Sequence, residues 1–486
     1  MSLSTKTITS VIYAGSTKLV QRGLGIISML ILARILTPED FGIVSICTLA
    51  VFLFSSLSDV GSKQYIARTK EVNEDILNTA WTLNICIKFI IWLVFIFFAS
   101  NIAEFLGEPE IEVPLKFLSI ILIFGLLSNP GVWLMSRDLN YKPLFKIDVA
   151  SKLISFLAVI LIAHFERSYW AMLIGVVLSY LLPCLFSHLI CNHKPRLTLV
   201  NLSSQLKFSQ WVIAESLVGY ARGEGDSILV AKYFDLDMVG IYSMFKNLAS
   251  MPLTQLIAPA TEPLLATFST SIRENDFQSY QINTVLLLVM AMVTPITTLM
   301  AYFDYEIVLL FLGENWVKHS YIFSMLSFML IPGVIYKILS QYVLAEGGYK
   351  PIVYYQFVMT IVTLGLLFMI IGSNLHQFTA ARVFISVLSL VIFWLYVQIR
   401  YRLFKFADLW LFLLPLVAAS VAIFVVAAVN SNMFHWLVKL VLGSAIFTII
   451  YSLVLLLLVY LGRKRYECSL FLSYIAKIKT LVYPGR

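Results

Sequence analysis

Apolar stretches of about 20 residues, the length a helix needs to cross a bilayer core, recur along the whole chain with short polar breaks between them. About 14 segments fit: 11–34, 41–62, 78–100, 115–135, 145–164, 170–191, 209–232, 238–266, 281–303, 320–343, 351–372, 379–399, 409–429 and 435–461. Most are apolar all round rather than striped, so periodicity marks no lipid-facing side. A membrane β-barrel would show shorter, alternating segments. The expected fold is an all-α polytopic membrane protein of about 14 transmembrane helices.

The pattern also repeats. Positions 29–36 followed by 41–45 match positions 227–234 followed by 239–243, at a constant offset of 198. Ala33 and Ala231, Arg34 and Lys232, Gly42 and Gly240, Ile43 and Ile241, and Ser45 and Ser243 coincide. Upstream, Arg22-Gly23-Leu24-Gly25 parallels Arg222-Gly223-Glu224-Gly225 with a two-residue slip. Six spans per copy makes the repeat parallel, with its axis along the membrane normal. Transporters place substrate between such copies. The expected organisation is a lobe over 1–200 (spans 1–6), a second lobe over 201–402 (spans 7–12), and 403–486 carrying spans 13 and 14 and a tail. The polar stretch 192–207, with His193, Lys194, Pro195 and Arg196, reads as a linker between the lobes. Spans 13 and 14 read as a lipid-facing appendage. Pro252, Pro259 and Pro263 in span eight, beside the glycine-rich span seven, mark that hairpin as a candidate moving wall.

Charge gives orientation. Only 13% of residues are charged and 60% are hydrophobic, which excludes a soluble protein. With a cytoplasmic N-terminus, the outer loops and span ends hold only Arg34, Arg167, Lys232, Lys318, Arg382 and Lys439, while most of the 35 Lys and Arg fall on the inner side or within spans. That bias predicts both termini inside. The net charge of +8 is then mainly a topology signal. No folded basic domain is present to bind nucleic acid. Thr37-Pro38-Glu39-Asp40 follows the first span where a signal peptide would carry small residues, so that span is expected to be retained. The five cysteines lack metal-ligand spacing and read as reduced packing residues, and no metal site is expected.

The chain contains no Gly-Lys dipeptide, hence no Walker A loop, and neither a Gly-x-Ser-x-Gly nor a His-Glu-x-x-His motif. No catalytic residue and no cofactor is assigned. The candidate chemistry is instead in charges placed where lipid should be. Lys18 and Arg22 lie four apart on one face of span one, with no carboxylate in that span. Span seven carries Glu215, Arg222, Glu224 and Asp226, and span eight carries Lys246. Each such charge costs about 2.5–3.5 kcal/mol at a helix centre on insertion scales. The planar guanidinium suits phosphate oxygens bidentately. Two arginines facing each other across a repeat interface would receive a diphosphate. Asp226 has two structural alternatives, Arg222 on its own helix and Lys246 on the next. Glu215 could pair with a cation or bind a coupling proton or sodium ion, and the sequence does not separate these. Lys152 and Lys337 are expected to snorkel from span ends.

Two motifs carry a family resemblance. They are Ala33-Arg34-x-Leu36-Thr37-Pro38-Glu39-Asp40-Phe41-Gly42, and Asp226-x-x-Leu229-Val230-Ala231-Lys232 with Gly240-x-Tyr242, Ala249 and Pro252. With the six-plus-six-plus-two layout, the chain resembles the polysaccharide transporter family, bacterial flippases within the multidrug/oligosaccharidyl-lipid/polysaccharide exporter superfamily. The resemblance implies a two-lobed, V-shaped helical fold in the cell inner membrane. It implies a cationic cavity, here Lys18, Arg22, Arg222 and Lys246, with Glu224 departing in sign. It implies movement of a polyprenyl-diphosphate-linked oligosaccharide by alternating access, with membrane lipids, a polysaccharide polymerase and a chain-length regulator as partners. The rival readings are a cation-coupled multidrug antiporter, which should favour carboxylates in the cavity, and a non-catalytic subunit of a glycan assembly complex.

Overall fold

The computed structural model describes residues 3–200, 202–261, 263–274, 277–405, 408–430 and 435–482. Its described residues form helices and no strands, as expected for backbone that must satisfy its own hydrogen bonds in lipid. The packing divides the chain into two compact units, Met1–Ser243 and Met244–Arg486. This division concerns packing and does not test the lobe limits 1–200, 201–402 and 403–486 drawn from the repeat.

The first unit opens with α1 (Leu3–Ile35), α2 (Pro38–Leu57), the short α3 (Ser62–Arg68) and α4 (Glu74–Leu106). The fourth sequence segment is a broken span of α5 (Glu112–Leu118), α6 (Ile120–Leu127) and α7 (Gly131–Arg137), bent by 65° between Leu127 and Gly131. Pro130 sits in that break, where a helix would lose its donor. Next come α8 (Tyr141–Glu166), α9 (Trp170–Ile190), α10 (Leu202–Tyr233) and the start of α11 (Leu236–Pro252). The linker is not a loose strap. Asn78 Oδ1 bonds the His193 ring at 3.0 Å and accepts from Arg196 N at 3.1 Å, and Thr198 N donates to Thr82 Oγ1 at 3.0 Å. The segment is thus bound along the first turns of α4, and α10 begins inside the predicted linker.

In the second unit α11 gives way at Pro252 to a π-helical turn, Leu253–Ile257, then α12 (Ala258–Thr261) and α13 (Leu264–Arg273). The eighth segment is therefore interrupted, as its prolines predicted. It continues with α14 (Ser279–Tyr302), α15 (Asp304–Phe311), α16 (Glu314–Val317), α17 (Ser320–Ser327) and α18 (Leu330–Ala345). The last five helices are α19 (Tyr349–Met369), α20 (Leu375–Tyr401), α21 (Leu409–Asn430), α22 (Trp436–Leu461) and α23 (Tyr466–Val482). Among the described residues nine helices are long and apolar enough to cross a membrane, or ten with the bent pair. The charged α1 and α10 are not among the nine, although they run 33 and 32 residues.

Four contacts join segments that the charge pattern assigns to the same side. Arg137 donates to the Ile66 and Lys70 carbonyls, and Arg465 pairs with Asp408 at 2.8 Å. Lys232 donates to the Phe105 carbonyl and lies over its ring, and Lys439 pairs with Glu306 at 2.6 Å. The first two groups are inner in the predicted topology and the last two outer. Two of these contacts lie within the first unit and two within the second.

Spans 13 and 14 are more tightly held than an appendage. Tyr451 donates to the Ala291 carbonyl at 2.9 Å, and Leu287 and Phe303 share a core with Phe447 and Leu455. Glu306 is buried while Lys439 is half exposed. Removing one partner of a buried pair costs about 3–5 kcal/mol, so Lys439→Met should sharply lower the amount of folded protein. Adding Glu306→Gln should restore most of it, as read by fluorescence-detected size exclusion. Equal losses in the single and double variants would show that Lys439 acts through something other than Glu306.

Candidate functional site: the charged helices α1 and α10

Within the first unit, α1 and α10 carry the intramembrane charges. Lys18 and Arg22 are the sixteenth and twentieth of the 33 residues of α1. Lys18 is exposed and Arg22 half-buried. On α10, Glu215 and Arg222 are exposed, Glu224 is half-buried and Asp226 is buried. A side chain added at Gly23, Gly25 or Gly223 would meet nothing within 4 Å. These glycines therefore do not serve close helix packing. They leave open space beside Arg22 and Arg222.

The middle of α10 is fixed to α2, where Tyr220 donates to the Leu49 carbonyl at 2.6 Å. Asp226 lies one turn past Arg222, and its carboxylate is a hub. Oδ2 accepts from the Tyr242 hydroxyl at 3.0 Å, and Oδ1 accepts from the Ser227 amide at 2.9 Å. The Ser227 hydroxyl reaches Glu224 Oε2 at 3.0 Å. Both Asp226 and Tyr242 are buried. This network ties α10 to the start of α11 and gives Asp226 a structural role. Tyr242 is the partner that sequence reasoning missed, although it lies in the quoted Gly240-x-Tyr242 motif. Lys246, the other candidate, falls in the second unit and is half-buried there. Tyr242→Phe removes one buried hydrogen bond and is expected to cost about 1 kcal/mol, against the larger loss of Asp226→Ala. A denaturation midpoint that falls equally for both would locate the network's energy in Tyr242 alone.

The repeat also appears as geometry. Thr37 caps α2, accepting from Asp40 N at 3.2 Å, and Asp235 caps α11, accepting from Met238 N at 2.9 Å. The two caps are 198 positions apart. A methyl group at Gly42 would lie 2.0 Å from the Leu236 carbonyl oxygen, and one at Gly240 would lie 1.9 Å from that of Pro38. Leu236 is offset by 198 from Pro38, and Gly240 by 198 from Gly42. Each motif thus meets the other through equivalent atoms, the reciprocity of a two-fold contact.

Lys152 departs from expectation. It is the twelfth of the 26 residues of α8, near mid-helix, because α8 begins four residues before the predicted span. It lines a cleft of about 270 Å³ with Ser28, Ser155 and Ser179 instead of reaching a span end. Lys88, which was not singled out from the sequence, sits mid-way along α4 with Nζ 3.5 Å from the Gly125 carbonyl. No group of His, Cys, Asp and Glu among the described residues has the arrangement of a metal site.

The family model described as "Polysaccharide biosynthesis protein" matches residues 31–321, more than half of the chain. The chain belongs to this family. Its relatives include the lipopolysaccharide biosynthesis protein WzxC of Escherichia coli (strain K12), 24% identical over 326 residues, 65% of each chain. They also include the succinoglycan biosynthesis transport protein ExoT of Rhizobium meliloti (strain 1021), 22% identical over 54% of this chain and 55% of that one. The matches span just under two thirds of WzxC and about half of ExoT. Among solved structures, the lipid II flippase MurJ in an inward closed conformation superposes with a TM-score of 0.75 at 14% identity, covering 94% of this chain and all of that one. An inward-facing multidrug resistance MATE transporter of the MOP superfamily superposes at 0.58, with 12% identity, over 80% of this chain and 98% of that one. At these identities the likeness is one of fold, and it bears out an all-helical, multi-pass membrane architecture for this member of the family.

Proposed function

We propose that this protein is a flippase. It moves a polyprenyl-diphosphate-linked oligosaccharide repeat unit across the cytoplasmic membrane by alternating access, for surface polysaccharide assembly. The observation that carries the reading is Arg22, a half-buried guanidinium at mid-length of α1, beside open space, in a member of the polysaccharide biosynthesis family. Moving such a substrate means taking two phosphates and several sugars out of water. A guanidinium held at mid-membrane replaces part of the lost hydration with charge-assisted hydrogen bonds. The polyprenyl tail stays in lipid and needs no site of its own. Lys18 and Arg222 supply further positive potential within the first unit, and Lys246 is the candidate cation of the second. Glu215 and Glu224 are the carboxylates offered for coupling to a proton or sodium ion. The chain is then a transporter rather than an enzyme, upstream of a polymerase and a chain-length regulator.

Vesicles containing the purified protein and a fluorescent polyprenyl-diphosphate oligosaccharide test the reading. Fluorescence should become accessible to an impermeant quencher at the far leaflet only when the protein is present. Transport of organic cations with no movement of the lipid-linked sugar would favour the antiporter instead.

The same reading places both termini in the cytoplasm. Cys468 is a poor reporter of this, because it is buried and its thiol is pushed up to about 11, first by burial and then by Glu467. A thiol with that pKa is almost wholly protonated and unreactive. A cysteine at the exposed Tyr466, in a Cys86→Ser background, should resist impermeant maleimide in intact cells, and one at Glu108 should react. Labelling of position 466 from outside would invert the topology.

A further inference from the structure

The flippase reading leaves two mid-helix cations of the first unit unused, Lys88, which reaches the Gly125 carbonyl, and Lys152. Lys152 is half-buried at mid-helix, and among the described residues it has neither an ion pair nor a hydrogen bond. It opens onto the cleft between α1, α2, α8 and α9, whose lining contains no carboxylate. Ser155, one turn on, is 3% exposed, lines the same cleft, and its hydroxyl oxygen has no partner. The Ser151 hydroxyl, next to Lys152, is also buried and unpartnered. A cation and hydroxyls left unsatisfied in lipid are each costly, so such a set calls for a partner from outside the chain: water, an ion or a ligand. Apart from Ser28 and Ser179 the rest of the wall is apolar, including Met29, Phe156 and Val176.

The helices on either side place this cleft beside the candidate site. α1 and α8 run parallel: Ser10 donates to the Leu139 carbonyl and the Tyr13 ring packs at a tilt against Phe145 at one end, while Leu32 and Leu36 share a cluster with Val159 and Ala163 at the other. Interpolating between these ends sets Arg22 level with Lys152. Gly25 and Ser28, on the cleft wall, lie one and two turns beyond Arg22.

We propose that this cleft is an oxyanion site, in which Lys152 and Ser155 hold the phosphate of a lipid and the apolar walls hold the first part of its chain. It rests on the flippase reading for its purpose but not for its chemistry. The lysine supplies charge and donors, and the Ser155 hydroxyl supplies a further donor to a second oxygen. Carrying an uncompensated cation there lowers the stability of the empty protein, a trade-off expected of a binding site and not of a packing residue.

The test uses the full-length protein in phosphatidylcholine nanodiscs, titrated with farnesyl phosphate, farnesol and inorganic phosphate. Farnesyl phosphate should bind and raise the melting temperature, and farnesol should bind far more weakly. Lys152→Met should weaken farnesyl phosphate binding at least tenfold, Ser155→Ala a few-fold, and Lys152→Arg little. The unliganded Lys152→Met protein should melt higher than wild type, because it no longer buries a lone charge. Unchanged binding in Lys152→Met, or a lower melting temperature without ligand, would overturn the site. Inorganic phosphate binding as tightly as farnesyl phosphate would overturn the lipid assignment. Lys152-dependent binding without any transport of lipid-linked oligosaccharide would sink the flippase reading and leave this site standing.

Discussion

Arg22→Ala is expected to lower export by about tenfold to a hundredfold while leaving the protein in the membrane at near wild-type abundance. The estimate takes a charge-assisted hydrogen bond as worth about 1.5–3 kcal/mol, with each 1.4 kcal/mol a factor of ten. Abundance should hold because Arg22 is half-buried and its helix neighbours Gly23 and Gly25 face open space. Arg22→Lys should recover only part of the loss, since the charge returns without the planar fork. Initial rates of quencher-accessible fluorescence in vesicles, normalised to the protein recovered, measure this. Wild-type rates in Arg22→Ala would remove the diphosphate receptor at its principal residue. A parallel loss of abundance and rate would make Arg22 a structural residue. The same assay on Asp226→Asn should show the opposite balance, a fall in abundance larger than the fall in rate per molecule, because Asp226 is occupied by Tyr242 and the Ser227 amide.

How much of this was legible in the chain follows from where the physics is local. Spans could be read because lipid forces long apolar helices, and the charges of α1 and α10 stood out because lipid penalises them. The repeat could be read because its motifs are contiguous. What failed was what depends on helix ends and on partners far away. Lys152 was placed near a span end only because apolarity fades before α8 does; the helix starts at Tyr141, where Lys142 and Lys146 hide its first turns. A signal was available in Ser151, Lys152 and Ser155, three polar residues within five positions, followed by an apolar run from Phe156 to Ala163. The Tyr242 partner of Asp226 is 16 residues away, on the next helix, and only the packing of α10 against α11 brings it near. The segment 192–207 was read as a linker from its polar composition, and that composition does not reveal that Asn78 and Thr82 hold it to α4.

The contact between the two repeat motifs gives the other large effect. At Gly42 and Gly240 an added Cβ would meet backbone, the Leu236 and Pro38 carbonyls, at about half the normal contact distance. Neither carbonyl can rotate aside without breaking its helix, so even alanine must push the start of α2 away from the start of α11. Overpacking of this kind typically costs about 1–3 kcal/mol, and an obstruction by backbone belongs at the upper end. Gly42→Ala and Gly240→Ala should therefore each lower the melting temperature and each reduce transport, by similar amounts, because the two positions are equivalent under the repeat. Their combination is the informative variant. A methyl group at Gly240 would also lie 2.8 Å from the Gly42 amide nitrogen, so both substitutions strain one contact. Once the first has separated the helices, the second finds room. The double variant should cost clearly less than the sum of the single ones, where independent sites would add. A matched pair at Gly23 and Gly223, which face open space, should do little to stability. Strict additivity at Gly42 and Gly240 would mean that the two glycines serve separate contacts, and the two-fold reading of the motif would fall with it.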